Sequence, residues 1–250
     1  MRNYIKAELY RNFNRVYFWC MTGSIAFFAL LGNILIKTTS RVPFYYEMVF
    51  EVGAFSLGLP VYIIIMIVEM VTAEEQKNQT LKNVVSSGIS RNKLILSKFI
   101  VTFILSVIAS GIILIVFFGS GAVLFKAGDG FSLSIVNDFI LRLLAATALW
   151  TGTISVGNLL AIMFKNNVAF AFSYVGLFGI LGKIIGILCE LVSHKFEYVY
   201  NILITTQLKN LGGTGIMASN DLMKAALIGI MYTIIFTIIS IVYFKKMEIK

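Results

Sequence analysis

Long apolar runs separated by short polar segments make up most of this chain. Six runs are close to the roughly 20 residues that an α-helix needs to cross the hydrocarbon core of a bilayer. They cover about residues 16–36, 53–71, 99–125, 139–164, 168–189 and 225–244. The pattern predicts an all-α integral membrane protein with six transmembrane helices, in a single domain over residues 1–250. Pro60, in the middle of the second run, predicts a kink in that helix.

The residues before the first run have the pattern of a helix that lies along a membrane surface. Tyr4, Ile5, Leu9 and Phe13 recur at helical spacing, and basic residues stand between them. We therefore expect an amphipathic interfacial helix within residues 1–15. A disordered N-terminal segment is the alternative.

The segment between the fifth and sixth runs, residues 190–224, is too long for a simple turn. It contains a short apolar stretch, YVYNILITTQL, over residues 198–208. This stretch is too short to cross a bilayer, so it predicts a re-entrant or interfacial helix before the sixth span. The glycines of GGTG at 212–215 would form its turn.

Composition and charge agree with a membrane location. The chain is 58% hydrophobic and 13% charged, whereas a typical soluble domain has about 25% charged residues. The net charge of +9 comes mostly from residues at the ends of apolar runs, which predicts topology and not nucleic-acid binding. Lysine and arginine are more frequent on the side that holds both termini, which predicts cytoplasmic termini and an extracellular segment 190–224. Arg142 and Lys183 lie inside predicted spans, and we expect their long side chains to reach the membrane surface.

Several kinds of chemistry have no signature in this sequence. It contains no GxxxxGK[ST] phosphate-binding loop, and its single histidine excludes clusters of histidine ligands. Cys20 and Cys189 lie in separate apolar runs without metal-ligand spacing. We therefore predict no catalytic residue, no metal site and no cofactor in this chain, and we do not expect it to be an enzyme.

The polar segment 72–98, between the second and third runs, is predicted to form two helices. Thr72 and Glu75 have the spacing of a capping box, and Glu74 and Glu75 suit the first turn of a helix. A short apolar stripe follows, made of Leu81, Val84 and Val85. The stripe predicts a contact either with the membrane surface or with a groove in a cytosolic protein.

The second of these helices is predicted to continue into the third span. Gly88 is suited to end the first helix. Ser90 is suited to cap the second one, which would begin at Arg91.

The sequence TLKNVVSSGISRNKLILSK (80–98), preceded by acidic residues, resembles the first cytoplasmic loop of ABC-2 type transporter permeases. That family typically has E-x-x-x-G-T-L-K, a short apolar run, a small residue, and then S-R and a lysine that enters the third span. Gln79 stands where the family often has glycine, and Ser87 and Gly88 replace a frequent proline region. The order of six spans, the N-terminal amphipathic helix and the apolar outer segment are similar to the family over the whole chain.

The resemblance implies a permease subunit that works with a separate ABC ATPase, which would bind ATP and Mg²⁺. It implies a dimer of permease subunits, with a homodimer favoured, in the bacterial cytoplasmic membrane. It also implies that a short coupling helix in the segment 72–98 docks into the ATPase. The residues expected to couple the two subunits are Glu74, Glu75, Leu81, Val84, Val85 and Arg91.

The resemblance further implies that the first, second and fifth spans supply the translocation path and the dimer interface. Aromatic and methionine side chains on these spans are the candidates: Phe27, Phe28, Tyr62, Met66, Phe172, Tyr174 and Phe178. Gly182 and Gly186 form a pair suited to close helix packing.

A path rich in aromatic residues and poor in deep charges favours export of an amphipathic or hydrophobic cargo. A peptide toxin or antimicrobial peptide is favoured, and a lipid-like molecule is also compatible. Among permeases of this size, the chain resembles those that serve small-peptide export or immunity, including the lantibiotic and phenol-soluble-modulin exporter group. Two alternatives stay open: a membrane scaffold or sensor that recruits a soluble partner, and an ion-coupled carrier that uses Glu69, the only acidic residue inside a predicted span.

Overall fold

A computed structural model describes residues 1–78 and 89–247, and both ranges are almost entirely helical, with no strand in either. In chain order the helices are α1 (Arg2–Phe13), α2 (Val16–Thr39), α3 (Tyr46–Gly58), α4 (Pro60–Lys77), α5 (Arg91–Leu124), α6 (Leu133–Met163), α7 (Asn167–Leu191), α8 (Phe196–Ile202), α9 (Ile204–Leu211) and α10 (Ser219–Lys246).

The described helices have the lengths that membrane spans require. Within these ranges α2, α5, α6, α7 and α10 are each long and apolar enough to cross a membrane, and the bent pair α3–α4 adds a sixth candidate if it forms one span. The prediction of an all-α integral membrane protein is confirmed. The membrane boundaries of the individual spans, the coupling helix and the interfacial position of α1 stay predictions.

Helix α6 lies at the centre of the bundle. In its most apolar 18-residue stretch 61% of the residues are buried, compared with 17–22% in the corresponding stretches of the other four long helices. It packs most extensively against α10. A Cβ atom at Gly229 would lie 2.3 Å from the carbonyl of Ala148, so the two backbones meet where only glycine fits. The hydroxyls of Thr151 and Thr233 are 3.0 Å apart across this interface, as expected for membrane helices that associate through small and hydroxylic residues.

The predicted kink at Pro60 is present, as a bend of 44° between α3 and α4. A single 3₁₀ turn, Ser56–Gly58, precedes the proline, which cannot supply a backbone N–H. Two side chains from neighbouring helices donate to carbonyls on either side of the bend. Trp150 Nε1 is 3.1 Å from the Leu57 carbonyl, and the Tyr174 hydroxyl is 2.8 Å from the Val61 carbonyl.

The prediction that Thr72 caps a new helix is wrong. Helix α4 continues through a π-helical turn, Glu69–Ala73, and ends at Lys77. The Thr72 hydroxyl instead donates to Asn158 Oδ1 on α6, at 2.8 Å. Glu74 and Glu75 consequently lie at the C-terminal end of a helix and not in a first turn, and their stabilisation comes from neighbouring cations, as described below.

The segment before the last span consists of two short helices. A residue in extended conformation, Leu203, separates α8 from α9, and α9 is the more buried of the two. Arg142 holds the following glycine turn: its guanidinium donates to the carbonyls of Leu211, Gly213 and Gly215 and pairs with Asp138 at 2.7 Å.

The expectation that Arg142 reaches the membrane surface is therefore wrong. The residue is only 3% exposed, because these carbonyls and the carboxylate replace its hydration.

Candidate functional site: the basal ion cluster and the distal groove

One end of the bundle collects the polar side chains on either side of residues 79–88. We call it the basal end; it contains α1, the last turns of α4, α6 and α10, and the first turns of α5 and α7. Gln76 Nε2 donates to the carbonyl of Ile162, and Asn167 Nδ2 donates to Glu69 Oε1 at 2.9 Å. The opposite end, which contains α8, α9 and the turn held by Arg142, is the distal end.

Lys98, at the start of α5, is the centre of a buried ion cluster at the basal end. Its side chain is almost fully buried, and its Nζ atom lies 2.8 Å from Glu8 Oε2 and 2.6 Å from Glu75 Oε2. Arg11 pairs with the same two carboxylates. We call these four residues the basal ion cluster. Lys98, Glu8 and Glu75 are buried, whereas the Arg11 side chain is 40% exposed. Two cations balance the two carboxylates, and the set joins α1, α4 and α5.

The electrostatics of α1 reflect this cluster. Burial, and then the charges of Glu8 and Glu75, raise the pKa of Tyr4 above its usual value of 10.0. Burial lowers the pKa of Arg11, but the attraction of Glu75 and Glu8 outweighs it, and the net effect is a raised pKa. At physiological pH Tyr4 is therefore neutral and Arg11 is charged.

The inner face of α1 combines apolar and polar contacts. The predicted helix is formed, and Ile5 and Leu9 of its apolar stripe pack against the core. Glu8 and Asn12, on the same face, are its fully buried residues, whereas Tyr10 is 76% exposed. Helix α1 is thus attached to the bundle by apolar packing together with the basal ion cluster.

Lys98 also binds the backbone of the π-helical turn in α4. Its Nζ atom lies 2.9 Å from the carbonyl of Val71. A π-turn widens the helix and leaves its backbone hydrogen bonds irregular, and such turns are frequent at functional sites. A second π-turn, Gly176–Ile180, interrupts α7.

Arg91 connects the beginning of α5 to the end of α10. Its Nη1 atom donates to the carbonyls of Phe244, Lys245 and Met247, at 2.7–3.0 Å. A cation at this position compensates the partial negative charge of a helix C-terminus. Helix α5 starts at Arg91 with Ser90 in the N-cap position, as predicted, although the Ser90 side chain makes no capping bond.

The structure places the expected coupling residues that it describes at the basal end. Glu75 belongs to the basal ion cluster, Glu74 pairs with Arg15, and Arg91 binds the end of α10. The apolar stripe of Leu81, Val84 and Val85, together with Gly88, lies outside the described residues. The described anchors therefore stand on both sides of this stripe, before residue 79 and after residue 88.

A groove of about 530 Å³ lies at the distal end, between the α3–α4 bend, α7 and the α8–α9 pair. We call it the distal groove. Its lining includes Phe55, Leu59, Tyr62, Phe178, Lys183, Thr205 and Lys209.

The expected path residues fall into two groups. Phe27, Phe28, Tyr62 and Phe172 are exposed on the surface of this chain, at 46–76% of their area, and Met66 is half-buried. Tyr174 and Phe178 are buried in the core. Phe178 still borders the distal groove, but Tyr174 is fully covered, so it lies on neither a path nor an interface in this structure.

Sequence reasoning missed Glu8, Arg11 and Lys98 as site residues. Lys98 borders an apolar run, so its charge is interpreted from the sequence as a signal of topology. Glu8 lies on a basic helix, where it does not stand out as a site residue. A signal was available for Glu8, which is the single acidic residue of the otherwise basic helix α1. An isolated acidic residue on a basic helix indicates a specific ion-pair partner.

The model of the ABC-2 family transporter protein matches residues 4–180, which is well over half of the chain. The chain therefore belongs to the ABC-2 family, and the resemblance inferred from its loop is confirmed at that level. No curated protein matches the chain.

As a member of the ABC-2 family, the chain is a permease subunit, which is the multi-pass membrane component of an ABC transporter. This component is not itself catalytic. It also implies association with an ABC ATPase.

Proposed function

We propose that this permease exports an amphipathic or hydrophobic cargo across the bacterial cytoplasmic membrane, with a separate ATPase docked at the basal end. The observation that carries the proposal is the basal ion cluster, which joins α1, α4 and α5 next to the segment 79–88. Because the sequence has no phosphate-binding loop, ATP and Mg²⁺ would be bound by the partner. Both termini and the basal end would then be cytoplasmic.

The stripe of Leu81, Val84 and Val85 would enter a groove of the ATPase. A displacement of this stripe acts on α4 through Glu75 and on α5 through Lys98. Since α4 carries the Pro60 bend and borders the distal groove, the same displacement would reach the far end of the bundle. Helix α4 would thus link docking of the ATPase at the basal end to opening of the distal groove.

A second copy of this chain is the favoured partner within the membrane. Helices α2 and α7 present large exposed apolar side chains, among them Phe28 at 69% and Phe172 at 76%. Pairing of two such faces would cover them and enclose a path between the subunits, and lipid would cover the remainder.

Aromatic side chains along the exposed faces of α2, α4 and α7 support an amphipathic or hydrophobic cargo. Within that class a peptide toxin or antimicrobial peptide is favoured, and a lipid-like molecule fits the same surfaces.

The test is co-expression of the full chain with the ATPase encoded beside it, followed by reconstitution in inverted vesicles. We expect a stable complex and ATP-dependent uptake of a labelled amphipathic peptide. Leu81→Asp should abolish both, because it places a charge in an apolar docking stripe. Exposed Lys93→Gln, on the first turn of α5, is the matched control and should keep both.

Two results would overturn the proposal. One is a chain that never co-purifies with an ATPase, which favours a scaffold or sensor. The other is uptake that persists without ATP and stops in Glu69→Gln, which favours an ion-coupled carrier.

A further inference from the structure

The distal groove contains two cations without a counter-charge. Lys183, on α7, and Lys209, in the last turn of α9, both line it and are both exposed. Neither forms a salt bridge with any residue in the ranges 1–78 and 89–247, and no carboxylate of those ranges lines the groove. A charged residue on a membrane helix is costly and usually has a partner or a function.

Hydroxyl groups surround the same turn of α7. The Tyr62 hydroxyl lies 3.6 Å from the place where a Cβ of Gly179 would be, and Thr205 Oγ1 lies 3.1 Å from the corresponding place at Gly182. Both glycines leave room for these side chains beside Lys183. Neither hydroxyl has a hydrogen-bond partner among the described residues, so both are available to a ligand.

Most of the remaining lining is apolar, with Ser56, Tyr200 and Thr206 as the other polar side chains, and the groove borders the α3–α4 bend. Phe55 and Leu59, at 80% and 61% exposure, lie on its α3–α4 side. Phe178 covers its floor. A ligand that satisfies both parts needs an anionic, hydrogen-bond-accepting head at the lysines and an apolar tail along the bend.

We propose that the distal groove binds a lipid-like amphipath with an anionic headgroup, through Lys183 and Lys209. The inference rests on the proposed function in one respect, namely that the groove belongs to the cargo path. It narrows the cargo class, because two unpaired lysines attract an anion and repel a cationic antimicrobial peptide.

The experiment measures lipid selectivity of the purified full-length permease. Spin-labelled phosphatidylglycerol and spin-labelled phosphatidylcholine with identical acyl chains are offered to the protein in nanodiscs, and the motionally restricted fraction is recorded. Wild-type protein should prefer phosphatidylglycerol by roughly tenfold, since each lysine near a membrane surface contributes a modest attraction to anionic lipid.

Variants identify the groove as the source of this preference. Lys183→Gln with Lys209→Gln should remove the selectivity, and Lys183→Arg with Lys209→Arg should keep most of it. The matched control is Lys195→Gln with Lys224→Gln, which removes the same charge from exposed residues that do not line the groove and should retain the selectivity. Thermal unfolding of each variant verifies that it is folded.

Three results would overturn the inference. These are equal retention of both lipids by wild-type protein, equal loss in the control variant, and lysine-dependent capture of an acidic amphipathic peptide without lipid selectivity. The last outcome would assign the groove to peptide.

Failure of the inference and failure of the proposed function are distinguishable. ATP-dependent transport without lipid selectivity would refute only the inference. Lysine-dependent selectivity without ATP-dependent transport would refute the proposed function and leave a lipid site.

Discussion

Lys98, at the centre of the basal ion cluster, and the two lysines of the distal groove are placed in opposite environments. Lys98 is enclosed and lies within 3 Å of two carboxylates and a carbonyl, whereas Lys183 and Lys209 are exposed and have no counter-charge among the described residues. A buried pair that loses one member leaves an uncompensated charge, but an exposed lysine loses little when it is replaced. The buried ion pairs of Lys98 fix the helices relative to one another. The two exposed lysines have no counter-charge among the described residues and are therefore available to bind a ligand.

The largest effect is expected at Lys98. Lys98→Met leaves Glu8 and Glu75 with Arg11 as their remaining cation in the cluster, and breaking a buried ion pair costs about 3–5 kcal/mol. We expect a strong loss of thermal stability of the purified permease and release of α1, measured by limited proteolysis near the N-terminus. Lys93→Met, at an exposed position on the same helix, should change neither. Equal stability of the two variants would show that the cluster does not hold α1.

Arg142 extends the comparison, because it is a cation at the distal end that is nevertheless buried and paired. Arg142→Gln removes charged hydrogen bonds to three carbonyls and to Asp138, and we expect a loss of about 2–3 kcal/mol. The glycine turn, which is already exposed, should also lose its fixed conformation, and limited proteolysis within residues 212–216 can measure this. Unchanged proteolysis would mean that other contacts hold this turn.

A smaller effect concerns pH. Because the pKa of Tyr4 is raised in the folded protein, its contribution to stability is complete below the unfolded value of 10.0 and decreases as pH rises above it. The difference in melting temperature between wild-type protein and Tyr4→Phe should therefore change from about pH 9 to about pH 11. A constant difference across this range would mean that folding does not raise the pKa of Tyr4.

The smallest effect is expected in the distal groove. Lys183→Gln and Lys209→Gln should each change stability by no more than about 0.5 kcal/mol, as is usual for exposed positions without specific contacts. Thermal unfolding of the lipid-free protein measures this. A large destabilisation would mean that these lysines are structural, and the contrast with Lys98 would fail.

Hydropathy predicted the class of fold because the length of an apolar run is a local property of the sequence. The kink at Pro60 was predictable for the same reason, since a proline lacks a backbone donor wherever it lies. The capping box at Thr72 was also a local pattern, but it was wrong because Asn158 on α6 binds the Thr72 hydroxyl and the helix continues. A contact between residues that are 86 positions apart leaves no local trace.

Orientation around a helix axis was harder to predict. Phe172 and Tyr174 lie two residues apart on α7, and one is 76% exposed while the other is fully buried. Apolar residues surround such a helix on every side, so its sequence has no clear periodicity from which an inner face could be identified. Lys98 was similarly hidden, because a lysine at the end of a span also satisfies the topology rule.

The basal ion cluster also has a consequence for the order in which the protein is made. Glu8 precedes Lys98 by 90 residues, and Glu75 and Lys98 both follow the first span. The N-terminal helix is therefore synthesised long before its binding site exists, and it has to remain undocked until the third span has been inserted. Docking of α1 would then mark the moment at which the first half of the bundle is complete.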